Sequence, residues 1–165
     1  MLATDHPELE LGSGMRFAWS DEQLAAKKAV IQFAQRELNE DLIERDRQAT
    51  FSRENWLKCA RFGIHGLPIP QEYGGSEADG LTTTVTMEGL GYGCRDNGLI
   101  FALNAQIWSV QLPILNSGTE DQKQRYLPGL CSGKLIGAHA ITEPDSGSDA
   151  LSLRTSANDW TSGTF

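Results

Sequence analysis

The chain has 165 residues, of which 39% are hydrophobic and 22% are charged, and its formal net charge is −8 at pH 7. This composition is typical of a globular protein, and the length suffices for one domain with a hydrophobic core, or for one domain and the beginning of a second. The acidic balance and the lack of clustered Lys and Arg argue against a nucleic-acid partner, because phosphate binding relies on basic clusters.

The cysteines and histidines follow no pattern typical of a disulfide framework or a metal site. Cys59, Cys94 and Cys131 are odd in number and far apart, as expected for reduced thiols in the cytoplasm. The histidines are equally scattered, so no metal site is predicted. The N-terminus is acidic where a targeting peptide is basic, and no apolar run is expected to reach the roughly 18 residues that span a bilayer. These features predict a cytoplasmic protein without a membrane span.

Helical signals begin at Ser20. Ser20 and Gln23 form a capping-box pattern, and apolar residues then recur with a spacing close to that of a helix as far as Leu42. A second, shorter helix is predicted to start at Ser52 and to end at Gly63. The residues after it, with two prolines and a Gly-Gly pair, predict a loop.

The middle of the chain predicts three more helices. The first runs from Gly80 to about Cys94, although its internal glycines weaken the pattern. The second carries apolar residues on two faces over 100–115, which predicts a helix buried at the centre of the domain. The third begins at a second capping-box pattern, and Pro128 is expected to bend or end its last turn.

The pattern changes after residue 133. LIGAHAIT, residues 135–142, is short, apolar and bounded by Gly and Pro, which predicts a buried strand. The predicted fold is therefore mainly α: an N-terminal arm at 1–19, an up-and-down helical domain at 20–133, and the first strands of a β-domain at 134–165. A lone strand is marginal in water, so the chain is expected to stop just as its second domain begins.

The stretch AITEPDSGSDA, residues 140–150, places turn residues and many hydrogen-bonding groups directly behind the predicted strand. A strand that ends at Thr142 and turns at Gly147 aims successive backbone N–H groups into one concavity, and such nests bind anions or carbonyl-rich rings. An acidic surface turn in which Asp145 and Asp149 bond their own backbone is the alternative. A calcium loop is disfavoured, because the carboxylate spacing is not that of an EF-hand.

This stretch resembles the flavin-contacting signature of the acyl-CoA dehydrogenases, a strand followed by Thr-Glu-Pro, two turn residues and Gly-Ser-Asp. Three further stretches resemble that family in the same order: FGIHGLPIPQEYGG at 62–75, GLTTTVTMEGLGYG at 80–93 and EDQKQRYLPGLCSGKLIGAHAIT at 120–142. Four ordered motifs are far more specific than one. The resemblance favours the flavin interpretation of residues 140–150 over the surface turn.

The resemblance implies that residues 139–148 lie along the ring of FAD. The backbone near Ile141 and Thr142, with the Thr142 hydroxyl, is expected to hydrogen-bond the reactive edge of the ring, where prearranged donors favour hydride acceptance. Ser148 is expected to reach toward the pyrophosphate or the bound thioester. The full set of expected cofactor contacts is His139, Ala140, Ile141, Thr142, Gly147 and Ser148.

Other residues near the signature have competing interpretations. Tyr73 is expected to border the acyl pocket, with a purely structural turn as the equal alternative. His139 is interpreted as a core histidine in preference to a proton carrier. Asp149 is expected to hold the turn, and Glu143 is not expected to act as a base.

The resemblance also implies an activity. In this family a carboxylate base removes the α-proton of an acyl thioester while the β-hydrogen leaves as hydride to FAD, which gives the 2-enoyl product. The expected partners are an acyl-CoA or acyl-carrier-protein thioester, an electron-accepting flavoprotein and further copies of the chain. No catalytic residue is assigned, because the base is expected in a C-terminal helical domain beyond Phe165, and these residues alone are expected to be inactive.

Three alternatives stay open. A flavin oxidase or monooxygenase can share the same fold, because fold does not determine chemistry. A naturally short helical interaction module would offer its apolar helix faces and an unpaired sheet edge to a partner subunit. A helical carrier of acyl chains would bind fatty-acyl groups without flavin.

Overall fold

A computed structural model describes residues 18–156 of the chain. Within that range the helices are α1 Asp21–Glu37, α2 Leu42–Arg47, α3 Arg53–Phe62, α4 Gly80–Gly93, α5 Asn97–Gln106, α6 Leu112–Ser117 and α7 Glu120–Cys131. Short 3-10 turns occupy Ile64–Gly66 and Gln71–Tyr73, and a π-helical turn, Ile107–Gln111, joins α5 to α6. The prediction of a mainly helical domain is confirmed. Most of the predicted arm, residues 1–17, and residues 157–165 lie outside the described range.

The predicted strand at 135–142 is absent from the described residues. The only β-pairing there is an isolated bridge between Glu143 and Ser146. Leu135, Ile136 and Ile141 are 43%, 54% and 42% exposed, so the apolar side chains that predicted a buried strand are only partly covered by the described helices. The physical reason is that a strand needs neighbouring strands to satisfy its backbone and bury its side chains.

Side-chain caps determine where the helices begin. The Ser20 hydroxyl accepts a hydrogen bond from the Gln23 N–H and the Gln23 side chain accepts one from the Ser20 N–H, so the predicted capping box is present. Thr119 and Gln122 form the second predicted box at α7. Ser52 caps α3 as predicted. These caps satisfy N–H groups that have no partner within the helix.

Replacing Thr119 with alanine is expected to destabilise the domain by about 1 kcal/mol, because the first turn of α7 loses its side-chain acceptor. Urea unfolding followed by circular dichroism measures this change. Thr119→Ser keeps the hydroxyl and is expected to unfold close to the wild-type midpoint. Equal stability of the alanine and serine variants would contradict the assigned cap.

Two glycines let α4 lie directly against α1. A Cβ atom on Gly89 would meet Val30 Cγ1 at 2.8 Å, and one on Gly93 would meet the Ile31 carbonyl oxygen at 2.7 Å. The glycines that weakened the helix prediction for this segment are therefore the residues that allow the two backbones to approach. The main core forms around this contact and includes Val30, Phe33, Ala34, Leu38, Trp56, Leu90, Leu103 and Ile107.

The central helical segment, Asn97–Ser117, is buried on one face. Leu99, Leu103 and Ile107 are at most 2% exposed, whereas Phe101 is 76% and Trp108 38% exposed. The prediction of burial on two faces is wrong for the described chain, because no described element covers the second face.

This same segment also corrects the expectation that no apolar run could cross a bilayer. Asn97–Ser117 is long and apolar enough to do so by length and composition, a test that core helices of soluble proteins also pass. The contacts of Leu103 and Ile107 within the main core show it in the role of a core helix.

Prolines interrupt two helices without ending them. The π-turn precedes Pro113, and in it the Leu112 N–H bonds the Ile107 carbonyl. This wider turn makes room where a proline ring would otherwise collide with the preceding turn. Pro128 was expected to bend or end α7, but α7 continues to Cys131, where the Ser132 N–H bonds the Pro128 carbonyl at 3.0 Å. Burial of the residues around Pro128 compensates for its single missing hydrogen bond.

Candidate functional site

The predicted cofactor contacts lie together on the surface. His139, Ala140, Ile141, Thr142, Gly147 and Ser148 are all exposed. The interpretation of His139 as a core histidine is therefore wrong for the described chain, and the reason is the same as for the missing strand, since no second strand lies over the segment.

A tight turn shapes the middle of this segment. The Glu143 N–H donates to the Ser146 carbonyl at 2.9 Å, and the Ser146 N–H donates back to the Glu143 carbonyl at 3.2 Å. Ser146 is only 6% exposed, and its hydroxyl donates to the Asp149 carbonyl. The Asp149 carboxylate accepts from the Ser152 hydroxyl, which agrees with the expectation that Asp149 holds the turn.

The Glu143 carboxylate closes the far side of the loop. It accepts from the N–H of Arg154 at 2.9 Å and of Thr155 at 2.8 Å, and also from the Thr155 hydroxyl. These hydrogen bonds favour the ionised form, and the pKa of Glu143 lies below its ordinary value because of them, the Arg154 N–H contributing most. A carboxylate engaged in this way holds the backbone, as expected for a residue that is not a base.

The chemistry of the segment fits a flavin. Among the described residues, neither the Thr142 nor the Ser148 hydroxyl has a hydrogen-bond partner, and both are exposed. A Cβ atom placed on Gly147 would meet no atom within 4 Å, so there is open space beside the turn. Hydroxyl donors next to a sterically open glycine are the features that a ring with carbonyl oxygens and a pyrophosphate require.

Hydrogen bonds from α3 and α7 hold residues 133–135, which lead from the helical domain to the predicted cofactor contacts. The Arg53 guanidinium donates to the carbonyls of Gly133 at 2.7 Å and Lys134 at 2.8 Å. The Trp56 indole N–H donates to the same Gly133 carbonyl at 3.2 Å. The Leu135 N–H donates to the Gly129 carbonyl at 3.0 Å. The chain thus leaves the helical domain in a defined direction.

A buried polar network holds Gly137, further along the same segment. The Gly137 N–H donates to Gln106 Oε1 at 2.9 Å. Gln106 Nε2 lies 3.3 Å from the Leu130 carbonyl oxygen and 3.3 Å from His65 Nδ1. His65 Nε2 lies 3.1 Å from the Trp56 carbonyl oxygen. Since Gln106 is 1% and His65 0% exposed, these groups depend on one another for hydrogen bonds.

One tautomer of His65 satisfies this network. If Nε2 carries the proton and donates to the Trp56 carbonyl, Nδ1 is free to accept from the Gln106 amide. The histidine is then neutral, and burial lowers its pKa to about 4, against the opposing effect of the two backbone carbonyls.

His65 and Gln106 belong to none of the site residues predicted from the sequence. The available signal was a polar residue on the buried face of an apolar helix, three positions after Leu103, together with a histidine inside the FGIHG stretch. A buried polar group requires a partner, but the sequence does not say which partner it has.

Tyr73 lies inside the domain. It is 3% exposed and belongs to a second core cluster with Ile69, Leu127 and Cys131. Its hydroxyl donates to Glu120 Oε1 at 2.7 Å, and this carboxylate raises the pKa of Tyr73 to about 12. These contacts describe a structural role for Tyr73, and its expected contact with substrate stays a prediction.

A groove on the surface of the described chain lies elsewhere. It measures about 700 Å³ and opens between α2 and the N-terminus of α5, where Ile43, Phe51 and Arg95 line it. It does not include residues 139–148. Within residues 18–156 no group of three or more His, Cys, Asp or Glu side chains could hold a metal ion.

Comparisons with known proteins identify the family. The family model for the acyl-CoA dehydrogenase N-terminal domain matches residues 20–134. An L-prolyl-[peptidyl-carrier protein] dehydrogenase of a Serratia species is 38% identical over 143 residues, which is 87% of this chain and 37% of that protein. The chain therefore belongs to the acyl-CoA dehydrogenase family.

Solved structures agree with this assignment. The prolyl acyl carrier protein oxidase AnaB is 56% identical with a TM-score of 0.79, and the match covers 84% of this chain and 36% of AnaB. PigA with FAD and proline is 39% identical with a TM-score of 0.78, over 83% of this chain and 36% of PigA. The chain spans little more than a third of the length of these relatives.

Proposed function

We propose that the chain is the N-terminal part of an FAD-dependent enzyme that oxidises an acyl thioester to its 2-enoyl product. The observation that carries the proposal is the exposed segment 139–148, which follows the anchored residues 133–137 and whose Thr142 and Ser148 hydroxyls have no partner within the described chain. The helical domain that presents it matches the family model, and the similar structure of PigA contains FAD.

When bound, FAD supplies the hydride acceptor for the oxidation. In this proposal the backbone of Ile141 and Thr142 and the Thr142 hydroxyl donate hydrogen bonds to the ring edge. Gly147 leaves room for close approach, and Ser148 extends toward the pyrophosphate or the thioester. His139 and Ala140 continue the segment along the ring, and Tyr73 supports the wall of the acyl pocket through the second core cluster.

The proposed substrate is a prolyl group held as a thioester on a carrier protein, with acyl-CoA as the alternative. Support comes from two relatives, the Serratia dehydrogenase and AnaB, each of which is named for a prolyl group on a carrier protein. The electron acceptor is a second flavoprotein, or oxygen if the parent is an oxidase. Division into a helical domain at 20–133 and a β-domain from 134, self-association and a cytoplasmic location belong to the same proposal.

The test uses the protein purified from the organism that carries its gene. Prolyl-carrier protein, prolyl-CoA and butyryl-CoA are mixed anaerobically with it, and the absorbance of the oxidised flavin is followed. Bleaching by the prolyl-carrier protein, together with loss of two hydrogen atoms from the prolyl group by mass spectrometry, is expected. Bleaching by an acyl-CoA alone would assign the alternative substrate, and a protein without flavin would overturn the proposal. The rate of reoxidation by air separates an oxidase from a dehydrogenase.

The exposed apolar face of the central helical segment favours a second candidate, an interaction module. Phe101 and Trp108 together form an apolar surface on a charged chain, and such surfaces commonly contact another protein. Size-exclusion chromatography of the purified protein tests this. Hetero-oligomers without flavin would support the module, whereas a flavin-containing assembly of one kind of chain would exclude it.

A further inference from the structure

The buried amide of Gln106 joins the helical core to the flavin-contacting segment. Its oxygen accepts the Gly137 N–H at 2.9 Å, two residues before His139. Its nitrogen is held on the other side by the Leu130 carbonyl and by His65 Nδ1, each at 3.3 Å. Because both the oxygen and the nitrogen of the Gln106 amide have partners, the amide has one available orientation. Its oxygen therefore offers the Gly137 N–H an acceptor at one fixed position.

Close packing also fixes the position of Gly137. A Cβ atom on Gly137 would lie 2.7 Å from Val110 Cγ1 and 3.2 Å from Leu130 Cδ2. The segment thus lies directly on the π-turn that contains Val110 and against α7. Residue 137 is held by one hydrogen bond and by close packing, whereas residues 138–142 are exposed.

We propose that Gln106, oriented by His65, is a positioning residue that sets the register of residues 137–142 and so determines where the flavin-contacting groups lie. The role in cofactor binding rests on the function proposed above. A slip of one residue along an extended segment would turn every side chain to the other face. The Thr142 hydroxyl would then no longer lie on the same side as the backbone N–H groups that are expected to contact the flavin. One hydrogen bond at Gly137 prevents that slip.

Another buried glutamine of the same helical segment provides a matched control. Gln111 is 0% exposed, like Gln106. Its amide nitrogen bonds Cys131 Sγ at 3.6 Å, and its amide oxygen has no partner among the described residues. It makes no hydrogen bond to residues 134–142 within the described chain. Gln106→Met and Gln111→Met therefore make the same chemical change, and only the first removes the anchor.

The first measurement is hydrogen exchange of the backbone amides of residues 134–142 in the purified protein without added FAD. We expect exchange at Gly137 to become about tenfold faster in Gln106→Met, because a lost hydrogen bond is worth on the order of 1 kcal/mol. Gln111→Met is expected to match the wild type there. Gly137→Ala, which keeps Gln106 and His65, is expected to raise exchange in the same residues by displacing the segment from Val110. If the amides of residues 134–142 exchange at the wild-type rate in both Gln106→Met and Gly137→Ala, the proposal is overturned.

The second measurement is the FAD dissociation constant together with the visible spectrum of the bound flavin. Gln106→Met and Gly137→Ala are expected to weaken FAD binding about tenfold and to shift the spectrum, since the donors at the ring edge move. If Gln106→Met loses folding stability but keeps wild-type affinity and spectrum, Gln106 is structural only and the inference fails. If the wild-type protein binds no FAD, the proposed function fails, and the exchange experiment still decides whether Gln106 sets the register.

Discussion

Replacing Gly75 with alanine is expected to destabilise the protein by about 3 kcal/mol or more, because overpacking against a backbone group cannot relax by a side-chain rotation. A Cβ atom at this position would lie 1.9 Å from the carbonyl oxygen of Ile69 and 2.7 Å from that of Gly66. Both carbonyls belong to the loop 66–78 and are already used. The Ile69 carbonyl accepts from the Glu77 N–H at 2.9 Å, and the Gly66 carbonyl from the Ser76 N–H at 2.8 Å.

Urea unfolding measures the effect, and α4 supplies the control. Gly91 lies within α4 on the surface, and a Cβ atom there would meet no atom within 4 Å. Gly91→Ala is therefore expected to stabilise the protein by roughly 0.5–1 kcal/mol through helix propensity. Equal midpoints for the two alanine variants would show that the loop backbone can move away from residue 75, and the close approach described here would be wrong.

Lowering the pH is expected to destabilise the protein through His65. In the unfolded chain a histidine has a pKa of about 6.5, and in the folded protein burial lowers that of His65 to about 4, the nearby Arg53 charge acting in the same direction. Above about pH 6.5 both states are neutral at this residue and stability is unaffected. Between the two values only the unfolded state binds the proton, so stability falls by about 1.4 kcal/mol per pH unit, about 3 kcal/mol in all.

The measurement is the free energy of unfolding in urea at several pH values from about 7 to about 4. Carboxylates also titrate in this range, so the slope of stability against pH is compared with that of His65→Gln. The slope of this variant is expected to be shallower by up to about 1.4 kcal/mol per pH unit, which corresponds to one proton. Equal slopes for wild type and His65→Gln would mean that His65 is protonated in both states or in neither.

The predictions that held were those determined by local chemistry. The hydroxyls of Ser20, Ser52 and Thr119 cap helices at the predicted residues, because a cap needs only the backbone N–H groups two or three residues further on. Gly63 ends α3 with a positive φ of 96°, a conformation that glycine adopts without strain. The order of motifs was enough to identify the family that the comparisons then showed.

The predictions that failed depended on distant parts of the chain. The apolar run at 135–142 and the second face of the central helical segment were expected to be buried, and Ile136 and Phe101 are exposed. Apolar periodicity reports that a face is suited to burial, but burial itself requires another element to cover it. The glycines of α4 show the reverse case. They lower the helix propensity of the segment, but this cost is offset by the close contact with α1, which no local sequence pattern shows.

The sequence by itself determined where the capped helices begin, which segment carries the donor-rich turn, and to which family the chain belongs, because these depend on residues that are neighbours along the chain. It did not determine every helix end, since α1 was predicted as far as Leu42 and ends at Glu37. Only the tertiary structure decided which groups meet: Gln106 with Gly137, 31 residues apart, and His65 with Gln106, 41 residues apart. The physical reason is that a buried polar group must find a partner, and the packing of the helices determines which partner lies within reach.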